Sequence, residues 1–464
     1  MMQVVPLFHS RISKLQPGII LCNFIDEKLG GSMKKSLLII LSLLSVLALT
    51  SCKNQKEPVP PEELCLDIQK IQMDMEYSAL KEFYDPEPFE VLKADVLAGK
   101  ADKIECIYRL KEIISSYHVF HLALQTTQDN KDFGSVIIPF YIMLYGKDYH
   151  LYAAAEEYKQ YLGSKLLEIA GLPMQEVIER LSKYGSYETP SGKQYCLSHR
   201  ITVNTMKRAG LAEKNGSVKV KIQNKDGEIK IVKCKPVEAL KSRFYAVQPT
   251  IENPLFTFQD MNSYYGIKAS QEKKTVYVHL NTINGDPDYL FTDLFKDLMT
   301  ELKKNLYEIV VFDLRYNGGG KASYASLLTN LLSVSRQELE KYNLALVTSG
   351  NTYSAACWFI NDFLMFFPKT VIFGEETGQA IYNYTDIYFS NILKTLQCEF
   401  IFPQGLDTAN EYLIKRAREV THSDIHRGTM PDVEVYENFE DFMKGEDTIY
   451  NAIYDYFDGL PRSQ

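Results

Sequence analysis

From Thr275 onward the chain alternates short apolar runs with amphipathic ones, and this rhythm limits its fold more than any other feature. "TVYVHL" (275–280) alternates as a strand does, and "TVIFG" (370–374) has strand length. "EIVVFDL" (308–314) and "LALV" (344–347) are continuously apolar, the pattern of a parallel strand covered on both faces. Between them, "DYLFTDLFKDLMTELKKN" (288–305) sets Leu290, Leu294, Leu298 and Leu302 on one helical stripe, and "ASYASLLTNLLS" (322–333) is helical too. Strand, helix, strand, helix, strand predicts right-handed crossovers in an α/β layer fold.

Reactive groups in such folds collect in loops at the carboxyl ends of the strands. Three loops qualify. "DLRYNGGGKAS" (313–323) places three glycines between a strand and a helix, so its backbone N–H groups suit an anion. A phosphate loop would need Gly at 315 and Ser or Thr at 322, where the chain has Arg315 and Ala322. A simple turn, with Asp313 and Arg315 as a structural ion pair, is the plainer alternative. "TSGNTYSAACWF" (348–359) puts Ser354 at the start of a predicted helix, where serine is by default an N-cap. There, too, the N–H of Ala355 and the helix dipole face any developing negative charge. "GEETGQA" (374–380) is a tight turn after the next strand.

Taken in order, "VVFDLRYNGGG", "ALVTSGNTYSAA", "VIFGEETG" and "GTMPDVEV" (428–435) resemble the tail-specific, or C-terminal processing, serine protease family. The resemblance covers most of 250–460 and implies a ClpP/crotonase-like α/β core. "YLGSKLLEIAGLPMQEVIERL" (161–181) looks like the PDZ-like segment of that family, and the helical region before residue 120 fits its N-terminal portion. By resemblance Ser354 is the nucleophile of a serine-type peptidase, and Gly318, Gly319 and the N–H of Ala355 form the oxyanion hole. No cofactor and no metal are implied; the expected substrate is a peptide or an unfolded protein.

A hydroxyl needs a base to take its proton. The processing-protease branch carries a Lys after its "GExTxG" turn. This chain has Gln379 there, and an amide is no base. Lys321 lies in another loop. The tricorn-like branch instead uses a His, and "SYHVFHLALQ" (116–125) offers His121, with His118 as the second choice. Val119 and Leu122 replace the usual Asp and Thr of that motif. The resemblance implies an acidic residue to orient the His, and Asp424 lies one position from the aligned place. Cys357 replaces an acidic residue common after "S-A-A". These departures keep a second function open: a catalytically degenerate member that binds peptides or envelope proteins. An acyl-CoA enzyme of the crotonase type would share the core fold but not the export signal or the PDZ-like segment.

"MKKSLLIILSLLSVLALTSC" (33–52) has two lysines, an apolar run too short to span a bilayer, and small residues, which is the layout of a secretory signal. Its end resembles a bacterial lipobox, which implies cleavage before Cys52 and a lipid on its sulfur. Met33 is the expected start, with 1–32 an over-extended reading frame. The expected organisation is 1–52 start and signal, 53–63 a polar, Pro-rich tether, and 64–125 a helical region. Residues 126–249 form the PDZ-like segment and 250–464 the protease core. The expected location is the bacterial envelope, lipid-anchored and exported. "GSVKVKIQNKDGEIKIVKC" (216–234) reads as a hairpin. The remaining cysteines are scattered without a CxxC pair, so zinc is not indicated. A net charge of −8 with no Lys/Arg run argues against nucleic-acid binding.

Overall fold

The computed structural model describes residues 59–127, 136–197, 201–239, 241–247, 263–380, 383–384, 388–407 and 427–459. The chain divides into two units, Met1–Pro60 and Pro61–Gln464. The first, with Cys52 and the signal-like run, lies almost wholly outside the described residues.

Three helices open the second unit: α1 (Pro61–Tyr77), α2 (Glu87–Leu97) and α3 (Lys103–Ser115). Residues 61–63, expected in the tether, instead form the first turn of α1. Its proline and two glutamates suit a helix start, where N–H groups lack partners and the dipole is positive. Buried Asp67 of α1 accepts the N–H groups of Thr395 and Leu396, each at 2.9 Å, and so docks α1 on the turn at the edge of a small sheet.

That sheet is what brings distant parts of the chain together. Strand β1 (Ala123–Thr126) pairs antiparallel with Cys398–Pro403, Ala123 opposite Ile401, and Cys398–Pro403 pairs in turn with Tyr388–Leu393. The segment just before residue 123 is thereby fixed against the later part of the chain.

The middle of the chain forms a seven-stranded antiparallel sheet. Its strands include β2 (Phe140–Tyr145), β3 (Asp148–Ala155), β4 (Lys165–Ile169), β5 (Val218–Gln223), β6 (Ile229–Cys234) and β7 (Phe244–Ala246), in the order β7-β3-β4-β5-β6 with β2 on β3. The expected hairpin is β5–β6, with Val218 opposite Cys234. Helix α4 (Met174–Leu181) buries Val177, Ile178 and Leu181 against the sheet.

The last part is the layered core anticipated from its rhythm. Strands β8 (Tyr265–Ser270), β9 (Thr275–Leu280), β10 (Ile309–Asp313), β11 (Asn343–Thr348), β12 (Val371–Gly374) and Val433–Glu434 lie side by side in that order. The β8–β9 pair is antiparallel and every later pair parallel. Side chains alternate between two covered faces. Val276, Val278, Val310, Phe312, Leu344 and Leu346 pack against helices α5 (Phe291–Leu302), α6 (Ala322–Ser333) and α7 (Ala355–Phe366). Tyr277, Ile309, Val311, Ala345 and Val347 pack against α8 (Thr448–Asp458). Two details differ from the sequence reading. All six residues of β9 are buried, because the strand is interior to the sheet and covered on both faces, so its alternation marks chemistry rather than exposure. Leu290 precedes α5 and is 52% exposed, and Phe291 takes its place beside Leu294, Leu298 and Leu302 in the core.

Candidate active site

Strand β11 ends at Thr348, and the turn after it delivers Ser354 at φ 52° and ψ −125°. Non-glycine residues rarely adopt this conformation, and strain of this kind collects at functional sites. The Ser354 side chain makes no capping bond to α7. Its Oγ instead lies 3.3 Å from Nε2 of His121. With the imidazole proton on Nδ1, the hydroxyl donates to Nε2, which is the geometry a general base requires. The structure therefore joins Ser354 to His121 rather than to His118, whose ring rests 5.5 Å from that of Tyr187.

Each partner is held by its surroundings. The glycine-rich loop packs beneath Ser354: a Cβ on Gly319 would come 2.6 Å from Ser354 Cβ, so only glycine fits there. Asn317 anchors the loop. Its Nδ2 donates to Leu280 O (2.7 Å), its Oδ1 accepts the N–H of Gly319 (2.9 Å), and its carbonyl accepts the N–H of Tyr353 (3.0 Å). His121 sits in the turn leading into β1, where Leu122 O accepts Ser186 Oγ at 2.6 Å. The neighbouring Phe120 ring stacks on Tyr353 at 4.3 Å and meets His121 edge-on at 5.2 Å.

The N–H of Gly319, expected in the oxyanion hole, is thus engaged by Asn317. Gly318 and Gly320 are exposed and line the cavity in front of Ser354. As the first residue of α7, Ala355 has an N–H without an intrahelical acceptor. Gln379, at the position of the branch lysine, is 1% exposed and accepts the N–H of Ser354 through Oε1. Lys321 is exposed at the start of α6, over the ring of Tyr324. Cys357 bonds Thr352 O at 3.6 Å, and burial pushes its thiol upward, away from reactivity. Asp424 lies outside the described residues.

Asp313 and Arg315 form more than an ion pair. Arg315 is 1% exposed and donates to Asp313 Oδ2 (2.8 Å), to both carboxylate oxygens of Asp447 (3.0 and 2.9 Å) and to Glu437 (3.1 Å). Asp447 also caps α8 through the N–H groups of Ile449 and Tyr450. The cluster ties the glycine-rich loop to the helix on the opposite face of the sheet.

Two further buried carboxylates, like Asp67 and Asp447, were not singled out from the sequence. Glu188 accepts the N–H of Phe120 through Oε1 and that of Ala380 through Oε2, both at 2.8 Å. Burial pushes its carboxyl up to about 7, although both bonds act to lower it. Glu375 accepts the Tyr195 hydroxyl at 2.9 Å, and burial pushes it up to about 7 as well. Nothing in "YETPSG" (187–192) marks Glu188, since its partners are backbone groups far away in sequence.

The cavity facing Ser354 and His121 is about 420 Å³. Its walls include Ile114, Phe120, Leu124, Tyr184 and Ile401, with Lys111 as a cationic group whose pKa burial lowers. Among the described residues no cluster of His, Cys, Asp and Glu is arranged to hold a metal.

The sequence matches no protein-family model and no curated protein. Solved structures do align with the chain. Mature CPAF complexed with lactacystin superimposes with a TM-score of 0.58 at 12% identity, over 86% of this chain and 97% of that one. A second structure of mature CPAF gives 0.56 at 13% identity with the same coverage. The photosystem II D1 C-terminal processing protease aligns over 80% of this chain and 93% of its own, at 14% identity and a TM-score of only 0.37. At these identities the CPAF structures establish one thing: the chain has the fold of mature CPAF over most of its length.

Proposed function

We propose that the chain is an exported, lipid-anchored serine endopeptidase of the tail-specific type, closer to the His-base branch than to the Ser–Lys branch. The observation that carries the reading is the 3.3 Å approach of His121 Nε2 to Ser354 Oγ at a strained strand–helix turn. As the Ser354 oxygen attacks a peptide carbonyl carbon, its proton passes to His121 Nε2. The N–H of Ala355 and those of the open glycines, Gly318 and Gly320, supply donors for the oxyanion. The imidazolium then protonates the departing amine, leaving an acyl group on Ser354 that water hydrolyses with His121 again as base. The orienting carboxylate expected at Asp424 and the lipid on Cys52 belong to the same proposal. The fold shared with mature CPAF, which has been seen with lactacystin, agrees with it and makes lactacystin a first ligand to try.

The test is cleavage of unfolded casein and of peptide libraries by the purified full chain. The reading predicts cleavage that disappears in Ser354→Ala. Cleavage that persists undiminished in that variant would sink it.

A further inference from the structure

Two segments hydrogen-bond to Ser354: the turn bearing His121 meets its hydroxyl and the turn bearing Gln379 meets its N–H. One carboxylate joins them. Glu188 binds the N–H of the residue before His121 with one oxygen and the N–H of the residue after Gln379 with the other. A planar carboxylate holds its two acceptors at a fixed separation, so the two turns cannot move apart without breaking a buried bond. The surrounding segment is fitted to the same place. Thr189 Oγ1 donates to Thr377 O at 2.8 Å, and a Cβ on Gly192 would fall 2.2 Å from the Tyr353 hydroxyl.

We propose that Glu188 is a positioning residue for the reaction at Ser354: anchored on the turn that bears Gln379, it sets the His121 imidazole at its working distance from the serine. The proposal rests on the peptidase reading. It assigns the middle part of the chain a direct share in assembling the site, through a residue that touches neither substrate nor nucleophile.

The substitution that tests it is Glu188→Gln, which keeps the shape but offers one acceptor and turns an N–H₂ toward a backbone N–H. The measurement is the rate at which a fluorophosphonate labels Ser354 in the full chain, with thermal unfolding as a check on folding. The expected result is labelling slowed by roughly 10- to 100-fold. The same substitution in a His121→Ala background should slow the residual labelling no further, because Glu188 acts through the imidazole. Glu188→Asp, which keeps the charge but shortens the reach, should also be slow, serving as a second variant if the amide fails to fold. Unchanged labelling in Glu188→Gln, or an equal further loss without His121, overturns the positioning role while leaving the peptidase reading in place. No labelling of the unaltered chain overturns both.

Discussion

His121 Nε2 and Ser354 Oγ lie 3.3 Å apart although 233 positions separate the two residues. The antiparallel pairing of Ala123–Thr126 with Cys398–Pro403 makes the approach possible, because it pins the segment carrying His121 beside the core. Ser354 meets that histidine at positive φ.

Relief of this strain is measurable. Glycine adopts such a conformation without the Cβ penalty. Ser354→Gly should therefore be more stable than Ser354→Ala by about 1 kcal/mol in denaturant unfolding, although both lack the hydroxyl. Equal stability would mean that the turn is unstrained.

Gln379 argues against restoring a lysine. Its Oε1 accepts the N–H of Ser354, and a lysine ammonium has no acceptor to replace it. Gln379→Lys should lose stability by about 1–3 kcal/mol through the unsatisfied buried N–H, and peptide cleavage should fall. A rise in cleavage would show that a Ser–Lys pair works here.

Arg315 is buried among Asp313, Glu437 and Asp447. Removing one member of a buried ionic cluster strands the others without compensation. Arg315→Ala should therefore lower unfolding stability by about 3–5 kcal/mol, and Asp447→Ala, which also removes the cap of α8, by a similar amount. A loss below about 1 kcal/mol in chemical denaturation would contradict the role assigned to the cluster.

Glu375 gives a pH dependence of definite sign. Its carboxyl is held up to about 7 chiefly by burial, with the Tyr195 hydroxyl opposing and Glu437 adding to the rise. Below about 4.5, its ordinary value, the carboxyl is protonated in both folded and unfolded chains. As pH rises toward 7 the unfolded chain ionises first, so folding loses stability on the order of 3 kcal/mol from this group and nothing further above. Glu375→Gln, neutral throughout, should gain stability relative to the unaltered chain across that window and run parallel to it outside. Parallel curves across pH 4.5–7 would refute the shift.

The core and its loops could be read from the sequence because their signals are local. Continuous apolar runs marked the parallel strands, and three glycines before a helix marked the turn beneath Ser354. His121 could be nominated by resemblance, but what makes it approach Ser354 is a strand pairing across most of the chain. Glu188 gave no signal, because a carboxylate that binds two backbone N–H groups leaves no pattern at its own position. The engaged N–H of Gly319 was hidden for the same reason, since it depends on where the Asn317 side chain turns.

The most direct test of the central claim is the kcat/KM for peptide cleavage by His121→Ala, measured beside Ser354→Ala and the double variant. Residues that act as one unit lose activity together, so the two single variants and the double should fall alike, by roughly 10⁴-fold or more. A His121→Ala enzyme that keeps the unaltered rate would contradict the claim that His121 takes the proton from Ser354.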